Sequence, residues 1–113
     1  MKVYNKKDFL KLPEGSVFCK GCKWCFENLS IKGKSFDSDF LYVDLCNIDA
    51  FDTAQWVDRL EDSLKNGTSY QINNDTSRDG LFQEEAIFLV FEKKDLEYLI
   101  KVLNISINSL MPL

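Results

Sequence analysis

Apolar and polar positions alternate through the first half of the chain, and strong breakers interrupt the alternation. Asn5 followed by Asp8 ahead of "FLKL" predicts a short capped helix, ended by Pro13 and Gly15 in "PEG". "SVFCK" then has strand character, and Gly21 permits a tight reversal. "KWCFENLSIKG" continues the alternation, with Cys25, Leu29 and Ile31 toward one side and Trp24, Phe26, Asn28, Ser30 and Lys32 toward the other. Together these segments predict a hairpin. A third strand follows in "FLYVDLCNI", where Leu41, Val43 and Leu45 face one way and Phe40, Tyr42, Asp44, Cys46 and Ile48 the other.

From Thr53 the period lengthens. Ala54, Val57, Leu60, Glu61 and Leu64 fall on one helical stripe with Trp56 beside it, and Gly67 sits where a helix ends, so a helix is predicted from Thr53 to Asn66. "TSYQINNDTSRDG" is turn-rich, with Tyr70 and Ile72 as a brief strand and Asp79 and Gly80 as a turn. "AIFLVFE", Ala86 to Glu92, is nearly continuous in apolar residues, as a central strand covered on both faces would be. Asp95 opens a second helix with Leu96, Leu99, Ile100 and Leu103 inward. The apolar tail "NISINSLMPL" is expected to pack on the sheet or join a self-association contact. The sum is one α+β domain over residues 1–113: an antiparallel sheet of about four strands, two main helices packed on it, and a short N-terminal helix.

Composition narrows the chemistry more than the fold. The chain of 113 residues contains no histidine, which excludes a Ser-His-Asp or Cys-His pair, a histidine zinc helix and any imidazole acid-base step within one chain. A non-catalytic protein is the expectation. No segment approaches the apolar length of a membrane span, and "MKVYNKKDFLKL" lacks a signal-like apolar run. Those features predict a cytoplasmic location, where cysteines stay reduced.

Charge is divided along the chain. Met1 to Lys34 holds eight lysines and three acids, whereas the remainder holds six basic residues and fifteen acids. Asp37, Asp39, Asp44, Asp49, Asp52, Asp58, Glu61 and Asp62 lie in one stretch with only Arg59 to offset them, a field that repels nucleic acid or imitates it toward a basic groove. This stretch is the first candidate partner-binding surface. The alternative is the basic hairpin, where Lys20, Lys23, Lys32 and Lys34 surround Trp24, pairing charge for phosphates with a ring on which a nucleotide or nucleic-acid base could stack.

Two motifs suggest metals. Cys19, Cys22, Cys25 and Cys46 follow a C-x2-C-x2-C-x20-C spacing that could hold tetrahedral zinc and echoes iron-sulfur ligation, against the preferred reading of four ordinary buried or half-buried thiols and no cofactor. In a regular strand, however, residues three apart point to opposite faces, so the chain must bend sharply for three sulfurs to converge. Asp75, Ser77, Asp79, Gly80 and Phe82 follow half of a calcium-loop pattern, but Ala86 stands where the closing glutamate is required, which favours an Asx-rich turn.

The segments "KKDFLKLPEGSVF", "LSIKG", "DFLYVDL" and "RDGLF" resemble small proteins encoded by bacteriophages and mobile elements. That resemblance implies context and no catalytic residue. Small acidic α+β proteins of such origin are often inhibitors of host defence, including anti-CRISPR proteins that occupy a nuclease's nucleic-acid channel and proteins that sequester signalling nucleotides. The expected partner is therefore a host defence protein such as a CRISPR nuclease, and no membrane.

Overall fold

The computed structural model describes residues 1–81 and 83–110. Its order is β1 (Lys2–Asn5), α1 (Lys6–Phe9), β2 (Val17–Gly21), β3 (Phe26–Ser35), β4 (Phe40–Asp44), α2 (Thr53–Asn66), β5 (Ser77–Asp79), β6 (Ile87–Val90) and α3 (Lys93–Ser109). The fold is α+β: a six-stranded antiparallel sheet in the order β1-β6-β2-β3-β4-β5, two main helices and a short N-terminal one. The two strands beyond the expected four are the sheet edges. β1 hides in a segment that periodicity does not mark as a strand, and β5 is a three-residue piece of the turn-rich stretch.

Local chemistry sets several boundaries. The Asp8 backbone N–H donates to Asn5 Oδ1 at 2.8 Å, capping α1. Asp52 caps α2 in the same way by accepting from the Gln55 N–H at 2.8 Å, and Gly67 ends it at φ +74°, the left-handed conformation glycine adopts without strain. Before α3, Glu92 and Asp95 form a reciprocal capping box. The terminal ammonium of Met1 adds ion pairs to Glu92 and Asp95 at 2.9 and 2.8 Å, tying β1 to the start of that helix.

The buried core lies on one face of the sheet and is almost wholly aromatic. Phe18, Phe40, Phe88 and Val90 project from four-stranded territory at the centre, and Phe9 of α1 closes over them. Phe9 stacks on Phe88 with ring centroids 3.9 Å apart and meets Phe18 and Phe40 edge-on at 4.7 and 5.1 Å. Thus the face carrying Phe40 forms the core, while Leu41, Val43 and Leu45 on the other face are only half-buried. Lys32 also enters this core, with its ammonium donating to the Gly33 carbonyl at 3.1 Å beside the Phe9 ring.

The long helices contribute no fully buried residue. On α3, Leu96 and Leu99 are half-buried as expected, but Ile100 and Leu103 are exposed, which corrects the inward assignment of those two. The helix runs on through the tail to Ser109 with Ile105 and Ile107 exposed as well; Met111, Pro112 and Leu113 of that tail lie outside the described residues. A projecting helix enlarges the molecule. The radius of gyration is 16.1 Å, against about 13 Å for a compact chain of this length. None of the described helices is long and apolar enough to cross a membrane.

Candidate functional site

α2 is seated by its polar edge. Gln55, Trp56, Arg59 and Asp62 are its half-buried positions. The Trp56 indole N–H donates to Asn47 Oδ1 at 2.6 Å, Arg59 donates to the Asp49 carbonyl, and Asp62 accepts from the Tyr70 hydroxyl at 2.6 Å. These bonds orient the helix and leave Leu64 open to solvent, with Val57 and Leu60 on the same stripe only partly covered. Val57 and Leu60 remain 40 % and 39 % exposed and Leu64 91 %. Phe51, just before the helix, is also exposed. Asp58 and Glu61 are exposed on the same helix, so an apolar stripe and two free carboxylates share its outer surface.

Of the other acids of the stretch, all but Asp37 are engaged within the protein. Asp39 is buried and held by the Arg78 guanidinium, which donates to both its oxygens and keeps its carboxyl below the ordinary range. Asp44 accepts from Asn28 and from the Cys46 N–H; Asp49 lies 4.0 Å from Arg59; Asp52 is the α2 cap. Hydrogen bonds from Tyr70, Asn66 and Thr68 pull the Asp62 pKa down to about 2. Asp37 is exposed. Among the described residues, the carboxylates of these eight that meet no partner are therefore those of Asp37, Asp58 and Glu61.

The basic hairpin is similarly divided. Lys32 is in the core, where burial lowers its pKa, and Lys20 donates to Asp79 at 2.6 Å and to Gln83 at 2.8 Å. Lys23 and Lys34 are exposed, and Trp24 at the hairpin tip is 90 % exposed. The Lys20–Asp79 pair and a second one, buried Lys6 to Glu84 at 3.1 Å, tie the β5–β6 connection to the sheet and to α1. Asp79 thus serves as an ion-pair partner within the former calcium-loop segment, of which Phe82 lies outside the described residues.

The four cysteines separate into two pairs. Cys22 and Cys25 are exposed with their Sγ atoms 3.9 Å apart. Cys19 is half-buried, and its thiol is pushed up by burial and then by Cys46 nearby. Among the described residues no group of three or more histidine, cysteine or carboxylate side chains is placed to hold a metal ion, so zinc on Cys19, Cys22, Cys25 and Cys46 together does not match this geometry. The reason is the strand alternation: only the reversal itself brings two sulfurs to one side. Within the exposed pair, N–H groups of Trp24 and Cys25 and the Cys25 thiol lower the Cys22 pKa, and Cys25 is raised in return.

The outward stripe of α2 was not identifiable as exposed from periodicity, because an amphipathic stripe faces a core in most helices. A tight cluster of carbonyl and carboxylate acceptors around Trp56 and Arg59 decides otherwise, and no single sequence signal announces it. No protein-family model, curated protein or solved structure matches this chain.

Proposed function

We propose that this protein is a non-catalytic binding protein that docks onto a partner protein through α2, and that the partner's surface is basic at its rim and apolar at its centre. One observation carries the reading: α2 is held by its polar edge and presents Val57, Leu60 and Leu64 outward beside Asp58 and Glu61. Apolar centres with charged rims are how protein interfaces divide affinity and steering. The accessible surface supports it too. At 8470 Å² it exceeds by about 2,000 Å² the roughly 6,400 Å² of a compact monomer of this mass, more than the roughly 800 Å² that one partner gives up in a standard interface.

The nucleic-acid channel of a host defence nuclease supplies the basic part of such a surface, which Asp58 and Glu61 would meet, and the resemblance to phage-encoded inhibitors points the same way. The test is DNA cleavage by a panel of purified, guide-loaded CRISPR nucleases with this protein added. Inhibition of one of them, weakened at least about tenfold by Asp58→Lys with Glu61→Lys and by Leu64→Asp, is the expected result. Inhibition untouched by these changes would remove α2 from the mechanism, and inactivity against the whole panel would remove the nuclease.

A second reading rests on Trp24. Its exposed ring beside Lys23 offers a stacking surface for a signalling nucleotide or single-stranded nucleic acid. Thermal shift with a nucleotide panel, compared with Trp24→Ala, measures it directly.

A further inference from the structure

We infer that Cys22 and Cys25 form a reversible dithiol–disulfide site at the β2–β3 hairpin tip, oxidised by thiol–disulfide exchange with a low-molecular-weight disulfide such as oxidised glutathione. The backbone places the two residues directly opposite each other. Gly21 pairs with Phe26, and one step further the Cys22 N–H donates to the Cys25 carbonyl at 2.9 Å, enclosing a two-residue loop of Lys23 and Trp24. Opposed, hydrogen-bonded residues in an antiparallel ladder have Cα atoms about 5.5 Å apart, inside the range a disulfide spans without moving the backbone. The side chains already converge, with their sulfurs 3.9 Å apart. Only side-chain rotation is needed to close the bond.

Gly21 explains why the chain can fold so tightly there. A Cβ at this position would lie 2.2 Å from the Cys25 carbonyl oxygen and 2.8 Å from the Phe26 Cα, so only glycine allows the returning strand to cross this closely. Access is open as well. Both thiols are exposed, and an open groove of about 990 Å³ beside them, bordered by Lys23, Trp24 and Glu85, admits a molecule of glutathione size. Cys19 differs in this respect, being half-buried in β2, so the exposed Cys46 has no equally open partner thiol.

The chemistry balances with the external disulfide as the only oxidant. One thiolate of the pair attacks a sulfur of the disulfide, forming a mixed disulfide and releasing one thiolate. The second cysteine, as thiolate, attacks its bonded neighbour, forming the Cys22–Cys25 bond and expelling the other thiolate. Two protein thiols have lost their protons and two electrons, and the disulfide has become two thiols.

The test uses the full chain, reduced and stripped of metal with a chelator, then equilibrated in glutathione buffers of graded oxidation. Samples are quenched in acid, alkylated, and read by intact mass and peptide mapping. The expected product is lighter by two hydrogens, has Cys22 and Cys25 in one linked peptide pair, and reverts with excess reduced dithiol. Cys22→Ser should instead retain glutathione on Cys25, at least about tenfold more than the wild-type chain does under the same buffer, because the resolving thiol is gone. A disulfide mapped to Cys19 and Cys46, a disulfide between chains, or equal glutathione retention by wild type and variant would each overturn the inference.

Discussion

Replacing Phe9 by alanine should remove more stability than any change on the long helices, although Phe9 belongs to a helix of only four residues. Its ring is fully buried and touches the rings of Phe88, Phe18 and Phe40, so truncation leaves a cavity under α1 that three aromatic side chains border. Large-to-small aromatic changes in cores cost about 3–5 kcal/mol, and the lost ring-ring contacts place this one in the upper half, about 4 kcal/mol. A domain of this length holds roughly 6–17 kcal/mol in all. With a urea slope of about 1.5 kcal/mol per molar, the unfolding midpoint should fall by about 2.7 M, with the slope unchanged. Equilibrium urea unfolding followed by circular dichroism measures this. Leu103→Ala is the control, since that side chain is 57 % exposed and its loss should cost no more than about 0.5 kcal/mol. A Phe9→Ala midpoint within 0.5 M of wild type, or a Leu103→Ala loss of equal size, would refute an aromatic core closed by α1.

Asp62, with its pKa lowered to about 2 from 3.8, contributes stability that is present above pH 3.8 and lost as pH falls toward 2. Tyr70→Phe removes its first hydrogen-bond donor, so a carboxyl titration by NMR should show Asp62 rising toward its ordinary value; an unchanged titration would exclude Tyr70 as the cause. Lys32 gives the same sign in the alkaline range, from burial of a cation rather than from hydrogen bonds to an anion. Its ammonium is disfavoured by burial, so the folded state gains stability as pH rises from its lowered pKa to 10.5, and Lys32→Met should raise the unfolding midpoint and flatten that rise. Gly21→Ala should disorder the hairpin tip and slow closure of the Cys22–Cys25 bond, measured by the rate of disulfide formation; closure at the wild-type rate would count against the tight crossing. Finally, iodoacetamide at neutral pH should modify Cys22 faster than Cys25, as mapped by peptide mass, because only Cys22 has its thiolate favoured by neighbouring N–H groups.

Sequence patterns were a good guide wherever a residue's role depends on its near neighbours. Asn5 and Asp52 accept hydrogen bonds three residues ahead, Gly67 adopts a left-handed cap, and each acts within one turn of backbone. The same holds for Gly21 and the hairpin. The acidic stretch was legible as charge but not as surface, because Asp39 finds Arg78 across 39 positions and Asp62 finds Tyr70 only after the chain has turned back beyond Gly67. Lys20 and Lys32 were equally unreadable: a strand lysine points to one of two faces, and only the completed sheet says which face is core.

The chain by itself determined an α+β domain, the exact span of α2, the central hairpin and the lack of histidine chemistry, since these follow from backbone preference, side-chain period and composition. Only the tertiary structure decided that three phenylalanines of one sheet face form the core under Phe9 of α1, that α2 leaves its apolar stripe incompletely covered, and that two of four thiols meet. The physical reason is that period states which residues share a face, whereas the partner for that face is chosen by hydrogen bonds and packing between segments far apart in the chain.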